Sequence, residues 1–374
     1  MGLLLLLSYV LNNQTLFTGE DLNQYAWTEL LKNKLGIKEQ KQDVEALFIN
    51  VAYDKQLIEI TDEYGMPVGN TDVTDRAKLL RILRLLHQSD SYHYIFLDVR
   101  FEKGYSIPEI DSLLFNEIIS MRNIVVANHS DIEIADKSLL PKTALSDYYS
   151  TIVATNFARY KYLYGSISSV PLYAYHELTG QTIEKHGIFY TCSGRLCQNS
   201  LLIPIPIRYF GEYNGIGDKV YYNLGSDLLD SYSEADLSEL VKDKYIVIGD
   251  MVEDIHDTYS GPTPGSVLTY YAFLELMKER HFVSWGLMSF LALLYFSISL
   301  SLFSKKSIVQ IIPIRYRPKS RLMLFAMSFL GYSLTLSATA IGLNVFFSKS
   351  VSIFIPSTLF AIQKTIINYQ RNRT

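Results

Sequence analysis

The stretch KYIVIGDMVEDIHDTYSGPTPGSVLTYYAF, residues 244–273, decides the fold of this chain. Its apolar run Tyr245–Gly249 has the β-branched and aromatic content of a buried strand and is too short for a convincing helix. An acidic loop leads from it to residues 261–265, whose glycines and prolines predict a break in regular structure. Ser266 is then a suitable N-cap for an apolar helix over residues 267–277. The stretch therefore predicts a strand, a long polar loop and a helix.

Two more buried strands precede this stretch. Residues 46–53 predict a strand that ends at Asp54, and residues 94–97 predict one that ends at Asp98. A leucine-rich helix over residues 76–87, capped by Thr74 or Asp75, joins them into a unit with the length of a right-handed parallel crossover. The predicted fold class is therefore α/β, with a mixed or parallel sheet. The other predicted elements are helices over 21–31, 111–119 and 171–178, a strand over 122–127, and a hairpin with a following strand over 187–208.

These segments together resemble the CHASE2 family, the extracytoplasmic sensor domains of bacterial transmembrane receptors. The chain departs from the family pattern in three places. It lacks the usual Trp-Pro before the arginine, and it carries Leu97 where the family has Phe. Pro264 also serves in both the Thr-Pro and the Pro-Gly motif, which the family usually separates by several residues. The resemblance covers residues 46–277 and implies an extracytoplasmic α/β sensor domain, with one membrane span before it and usually three after it. The residues that match the family motifs are Asp54, Arg76, Asp98, Ile248, Gly249, Asp257, Thr263, Pro264, Gly265 and Ala272.

Charge is distributed unevenly along the 374 residues. From Phe282 to the C-terminus there is no Asp or Glu, whereas Lys and Arg recur, so every acidic residue lies in the preceding part. An acidic globular part argues against a nucleic-acid partner, because phosphates require a basic surface. The sequence contains no phosphate loop, nucleophile elbow or zinc motif, and we expect no cofactor.

Three apolar segments follow the globular part. Residues 282–303 and 322–347 are long enough to cross a bilayer. Residues 351–367 give a weaker signal because Pro356 and Lys364 interrupt them. We expect three transmembrane helices within residues 281–374, with a re-entrant third segment as the alternative.

The N-terminus carries a shorter apolar run. Residues 1–11 have about half of the ~20 residues that a span needs, and they lack the basic region and cleavage site of a signal peptide. We expect a partial N-terminal transmembrane segment, the C-terminal half of a span. The alternative is a short apolar tail that lies on the domain.

Loop charge predicts the orientation. The loop over residues 304–321 is rich in Lys and Arg, so the positive-inside rule makes it cytoplasmic. Residues 12–280 then form an extracytoplasmic CHASE2-like domain, and the short tail from residue 369 lies in the cytoplasm. The predicted location is the inner membrane of a bacterium, in a multi-pass topology with the main domain in the periplasm.

Three aspartates predict a site at one edge of the sheet. Asp54, Asp98 and Asp250 each follow a predicted parallel strand, and open α/β sheets bind ligands outside the carboxyl ends of their strands. Together with Arg76 and Asp257 they are the candidate ligand-binding residues, for a polar ligand or a cation whose identity the sequence leaves unknown. The alternative is that each Asp caps a nearby turn or helix and that Arg76 neutralises one of them.

Two smaller groups of side chains complete the candidates. Glu253, Asp254, His256 and Asp257 could form a cation site or a general acid/base pair, but a solvated loop is the simpler interpretation. Cys192 and Cys197, the only cysteines, flank four residues of a predicted hairpin and could form a disulfide in an exported domain. Two free, half-buried thiols are the alternative.

The most economical function is stimulus sensing. CHASE2 relatives pass a stimulus to kinases, cyclases or diguanylate enzymes fused after the last span, whereas this sequence carries no such output domain. We therefore expect a standalone sensor, not itself an enzyme, that binds an unidentified extracytoplasmic ligand and relays the signal to a separate membrane or cytoplasmic partner. The alternatives are an exported, membrane-anchored metal-dependent hydrolase built on the three aspartates, and a structural subunit of a membrane complex.

Overall fold

The computed structural model describes residues 2–13, 18–37, 46–61, 64, 66–148, 159–204, 221–229, 232–258, 261–303, 321–347 and 353–371. Most of the predicted basic loop, part of the segment after the predicted hairpin, and the last three residues lie outside these ranges. The helices are α1 (Gly2–Asn12), α2 (Thr18–Leu35), α3 (Arg76–Ser89), α4 (Pro108–Ser120), α5 (Val170–Thr179), α6 (Ser226–Leu229), α7 (Glu234–Val241), α8 (Gly265–Met277), α9 (Trp285–Phe303), α10 (Arg321–Phe347) and α11 (Phe354–Arg371), with a 3-10 helix over Lys137–Lys142.

The strands are short and numerous. They are β1 (Ala46–Asn50), β2 (Lys55–Thr61), β3 (Pro67–Thr74), β4 (Tyr94–Asp98), β5 (Ile124–Asn128), β6 (Thr143–Leu145), β7 (Arg159–Lys161), β8 (Leu163–Tyr164), β9 (Ile167–Ser168), β10 (Ile183–His186), β11 (Phe189–Cys192), β12 (Arg195–Cys197), β13 (Ser200–Leu202), β14 (Tyr221–Gly225), β15 (Tyr245–Gly249), β16 (Ile255–Thr258) and β17 (Gly261–Pro264).

A six-stranded parallel sheet forms the centre of the globular part. Its strand order is β14-β1-β15-β4-β5-β6, and each neighbouring pair is parallel. The α/β prediction with a parallel sheet is therefore confirmed. β1 and β4 are parallel as predicted, but β15 lies between them and pairs with both over its full length. The stretch that decides the fold thus supplies an inner strand of the sheet.

Helices cover both faces of this sheet. Side chains alternate between faces along each strand, so Tyr245 and Val247 pack with α5 and α8, whereas Ile246 and Ile248 pack with α3, α4 and α7. Because both faces are covered, β1, β4 and β15 read as nearly continuous apolar runs. α8 is the most enclosed helix: all of its residues from Gly265 to Leu276 are buried.

The polar loop after β15 is more regular than its glycines and prolines suggest. β16 and β17 pair as an antiparallel hairpin, with His256 opposite Thr263. A two-stranded hairpin has only edge strands, and an edge strand tolerates proline. α8 begins at Gly265 after Pro264, so the N-cap predicted at Ser266 is wrong. Ser266 is buried, and its hydroxyl lies 3.3 Å from the Met251 sulfur.

Both cysteine thiols are free and buried in this structure, which therefore shows the alternative to the disulfide. The reason is the turn between β11 and β12. Cys192 pairs with Arg195, so the connection has two residues, Ser193 and Gly194, both with positive φ, as a tight hairpin turn requires. Cys197 then pairs with Tyr190 and is diagonal to Cys192, not opposite it.

The apolar segments at the C-terminus are helical. By length and apolarity, α9 and the Phe325–Phe346 part of α10 can cross a membrane. α11 occupies the position of the third predicted span. Among the described residues it is not apolar enough over a sufficient length to count as a membrane-crossing helix, so three spans stay a prediction. α1 packs beside α9, and the Ser8 and Tyr295 hydroxyls lie 2.7 Å apart.

Candidate functional site

Asp98, the last residue of β4, is the centre of the candidate site. One of its carboxylate oxygens, Oδ2, is buried and has no hydrogen-bond partner among the described residues. Burial and the nearby Asp254 carboxylate raise the pKa of Asp98 to about 7, although His256 and Arg100 oppose the shift. A carboxyl group that titrates near neutrality while lacking a donor is poised to gain a proton or a hydrogen-bond donor.

Asp254, just before β16, and His256, on β16, lie close enough to Asp98 to shift its pKa. The His256 Nε2 atom lies 3.2 Å from the Asp254 carboxylate, and the His256 ring packs on Tyr148, with ring centroids 4.3 Å apart. The Tyr148 hydroxyl donates to the Gly265 carbonyl at 2.5 Å and lies 2.7 Å from the Thr269 hydroxyl. His256 is therefore linked through Tyr148 to the first turns of α8.

The end of β5 adds a second histidine. His129 follows β5, and its Nδ1 atom lies 3.6 Å from the Asp147 carboxylate, which also accepts the Ser130 amide. Burial and Arg100 lower the pKa of His129, whereas Asp147 and Asp254 raise it. The carboxyl ends of β4, β5 and β15 thus converge on one group of titratable side chains, which we call the carboxyl-edge cluster: Asp98, His129, Asp147, Asp254 and His256.

Asp250 stabilises its own loop. Its carboxylate accepts the Val252 amide at 2.9 Å and the Glu253 amide at 2.7 Å, and it pairs with Lys55 at 3.1 Å. Burial raises the pKa of Asp250, but these hydrogen bonds outweigh burial and hold it below its ordinary value. This arrangement matches the turn-capping alternative.

Asp54 lies apart from the cluster. β1 ends at Asn50, not at Asp54, and the turn that follows places the Asp54 carboxylate against Lys78, at 2.8 Å, and the Ser226 hydroxyl. Among the described residues no contact joins Asp54 to Asp98 or Asp250, so a site shared by all three aspartates stays a prediction. Asn50 takes the predicted position at the end of β1, where its side chain accepts the Ala52 and Met251 amides.

Arg76 and Asp257 also lie outside the cluster. Arg76 is buried at the start of α3, where it pairs with Asp111 at 3.5 Å, donates to the Arg100 carbonyl at 2.9 Å and stacks on Phe101. It neutralises Asp111 and none of the three aspartates. Asp257 is exposed on β16 opposite Pro262, and because neighbouring strand residues face opposite sides, it points away from the side of His256.

Two glycines bring α8 against the sheet and the cluster. A Cβ at Gly249 would lie 2.9 Å from the Ser266 Cβ and 3.2 Å from the Asp98 Cβ. A Cβ at Gly265 would collide with the Asp254 carboxylate. The absence of side chains at both positions therefore allows the N-terminus of α8 to contact the carboxyl-edge cluster directly.

The other end of α8 leads to α9, one of the two helices that are long and apolar enough to cross a membrane. Near that end the buried Glu275 carboxylate accepts Arg280 at 2.7 Å. The linker of residues 278–284 then pairs with β12: the Val283 amide donates to the Leu196 carbonyl, and the Gln198 amide donates to the His281 carbonyl. The same hairpin holds α1, because the Tyr9 hydroxyl donates to the Cys197 carbonyl at 2.8 Å. The β11–β12 hairpin thus contacts both α1 and the linker that leads into α9.

The cluster can bind or exchange protons, but its geometry does not form a metal cage. Within the part of the chain that the structure describes, no group of three His, Cys, Asp or Glu side chains is arranged to hold a metal ion. Comparison of the chain with family models, with curated proteins and with solved structures finds no match. The resemblance to CHASE2 domains therefore stays a prediction, and a function can be proposed only from the arrangement of the side chains described above.

Proposed function

We propose that the chain is a membrane-anchored extracytoplasmic sensor, in which a stimulus acts at the carboxyl-edge cluster and reaches the membrane through α8. The stimulus is a proton or a polar ligand that supplies the donor Asp98 lacks. The signal passes to a separate membrane or cytoplasmic partner. A bacterial inner membrane, with the globular part in the periplasm, is the proposed location.

The position of α8 is the observation that supports this proposal. Its first residues contact the cluster through Gly265 and Ser266, and its last turn continues through a short linker into α9. A helix of 13 residues is about 20 Å long, so α8 connects the two regions as one rigid element. Because α8 is enclosed on all sides, a change at its first turn cannot be absorbed by local bending into solvent.

Two arrangements of the domain, biased by the state of the cluster, are sufficient for signalling. Protonation of Asp98 removes a buried negative charge beside Asp254, whereas a bound donor leaves that charge in place and compensates it. Either change weakens the repulsion between Asp98 and Asp254, the carboxylate that pairs with His256. That pair belongs to the loop and hairpin that contact α8, so the two charge states favour different positions of the helix.

The experiment is affinity purification of the full-length protein in mild detergent, followed by mass spectrometry of the proteins that accompany it. We expect a kinase, cyclase or other signalling enzyme, in an amount that changes in Asp98→Asn. Glu133→Gln is the matched control, because it neutralises an exposed carboxylate paired only at the surface with Lys103. Recovery of transport or envelope-assembly subunits alone, or of no partner, would contradict the proposal.

A further inference from the structure

The polar helix α2 has its buried and exposed faces reversed relative to a helix of a water-soluble domain. Among its described side chains, Gln24, Thr28 and Lys32 are 2%, 0% and 6% exposed, whereas Trp27 and Leu30 are 54% and 43% exposed. The spacing of the three polar residues, four positions apart, places them on one face. In a soluble domain the apolar face of a helix is buried and the polar face meets water.

The neighbour of α2 explains this reversal. α2 packs along α10, whose Phe325–Phe346 part is long and apolar enough to cross a membrane. α10 itself buries polar side chains, including Ser328 and Asn344. A lipid environment favours this arrangement, in which the polar face of α2 is directed at α10 and the apolar face is directed away from it. The reason is that polar groups in lipid require partners inside the protein.

The exposed face also has the composition of a membrane-interface surface. Tryptophan is enriched where headgroups meet acyl chains, and Leu30 and Ala26 lie on the same exposed side. Lys34 is exposed near the end of that side, where a long cationic side chain can reach the headgroups while its stem covers apolar surface. α10 also exposes large apolar side chains, including Leu330 and Leu334, as a helix surface in contact with lipid would.

We propose that α2 belongs to the membrane region and not to the extracytoplasmic domain, and that the side carrying Trp27 and Leu30 rests in the boundary between lipid headgroups and acyl chains. The sequence alone predicted residues 12–35 as part of the extracytoplasmic domain. The proposal rests on α10 crossing the bilayer and is independent of any sensing role for the carboxyl-edge cluster.

The chain contains two tryptophans, Trp27 and Trp285, which makes a direct test possible. Trp27 is the only tryptophan in Trp285→Phe, and Trp285, at the start of α9, is the only one in Trp27→Phe. Quenching of Trp285 then gives the signal expected of a tryptophan at the membrane interface, with which quenching of Trp27 is compared. Both side chains are largely exposed, so neither substitution removes core packing. Each full-length variant is reconstituted into vesicles of phosphatidylcholine and phosphatidylglycerol that carry a bromine quencher at a shallow or a deep acyl position.

We expect shallow brominated lipid to quench Trp27 fluorescence, at least as strongly as it quenches Trp285, and aqueous iodide to quench it weakly. Strong quenching by iodide with no effect of brominated lipid would place Trp27 in water and overturn the proposal. Weak quenching by both agents would also overturn it, because Trp27 would then be covered by protein, either a second copy or a partner. As a second readout, a spin label at Leu30→Cys should be more accessible to oxygen than to a water-soluble nickel chelate.

Discussion

At the scale of single residues, Arg76 is the buried charge on which the fold depends most. It is almost fully buried and is paired with Asp111, which is itself buried. We expect Arg76→Ala to lower the free energy of unfolding by about 3–5 kcal/mol, because it leaves the Asp111 carboxylate without its counter-charge. Denaturant unfolding of the detergent-solubilised protein measures this.

The double variant Arg76→Met with Asp111→Leu is the control for that prediction. It removes both charges and leaves apolar side chains of similar volume, so most of the lost stability should return. A double variant that is as unstable as Arg76→Ala would show that the loss comes from packing on Phe101, or from the Ile107 amide that loses its acceptor at Asp111, and not from the unpaired charge.

Asp98 gives a pH-dependent prediction. Its folded pKa of about 7 lies above the ordinary value, so the folded state binds this proton more tightly than the unfolded state does. The group therefore contributes stability that is lost as the pH rises from about 4 to about 7. Asp98→Asn, which cannot ionise, should be more stable than the wild type at about pH 8, by about 2–4 kcal/mol, because a shift of about three pKa units is worth about 4 kcal/mol.

That difference should shrink toward about pH 5, where wild-type Asp98 is protonated. Thermal unfolding at several pH values, with Glu133→Gln alongside, separates this effect from a general loss of negative charge. An Asp98→Asn variant that is less stable than the wild type at about pH 8 would mean that the ionised carboxylate has a donor.

The site residues were only partly predictable. Asp98 was identified because it ends a parallel strand, and the same rule applied to the third predicted strand points to His129, which was missed. Asp254 and His256 were noticed but interpreted as a solvated loop, since nothing in the sequence shows that they lie close to Asp98. Asp54 was misplaced because a turn after Asn50, not visible in the apolar run, separates it from the end of β1.

At the scale of secondary-structure elements, the contact between α8 and β15 leaves no room for a side chain at Gly249. Gly249 permits this contact, and any side chain there must displace Ser266 or Asp98. We expect Gly249→Ala to destabilise the fold by about 1–3 kcal/mol, the usual cost of overpacking a core. The shortest of these contacts is with a Cβ atom, which cannot rotate away.

Gly265→Ala is the matched comparison. Its new Cβ meets the end of the Asp254 side chain, which is partly exposed and can rotate. Thermal unfolding should therefore show a smaller loss of stability than in Gly249→Ala. Equal losses for the two variants would contradict the contacts described.

The elements themselves were more predictable than their arrangement. The apolar runs predicted β1, β4, β15, α3 and α4 within a few residues, because their periodicity is local. The insertion of β15 between β1 and β4 was not predictable, since it depends on pairing between residues about 200 positions apart. The diagonal placement of Cys197 depends on a two-residue turn, where four residues were expected.

At the scale of the whole molecule, signalling through α8 requires that the two ends of this helix respond together. The carboxyl-edge cluster lies at its start, and the linker of residues 278–284, held by β12, lies at its end. Protonation of Asp98 is a change that can be imposed at the first end without knowing the natural stimulus. The response at the second end is then the measure of coupling.

The most direct test is hydrogen–deuterium exchange of the full-length protein in lipid nanodiscs, recorded one pH unit below and one above the Asp98 pKa of about 7. After correction for intrinsic exchange, we predict that protection of residues 278–284 differs between the two conditions in the wild type and in Glu133→Gln. Asp98→Asn should lose most of this difference. If protection changes around Asp254 and His256 while the linker stays the same, α8 does not carry the signal and the sensor account is wrong.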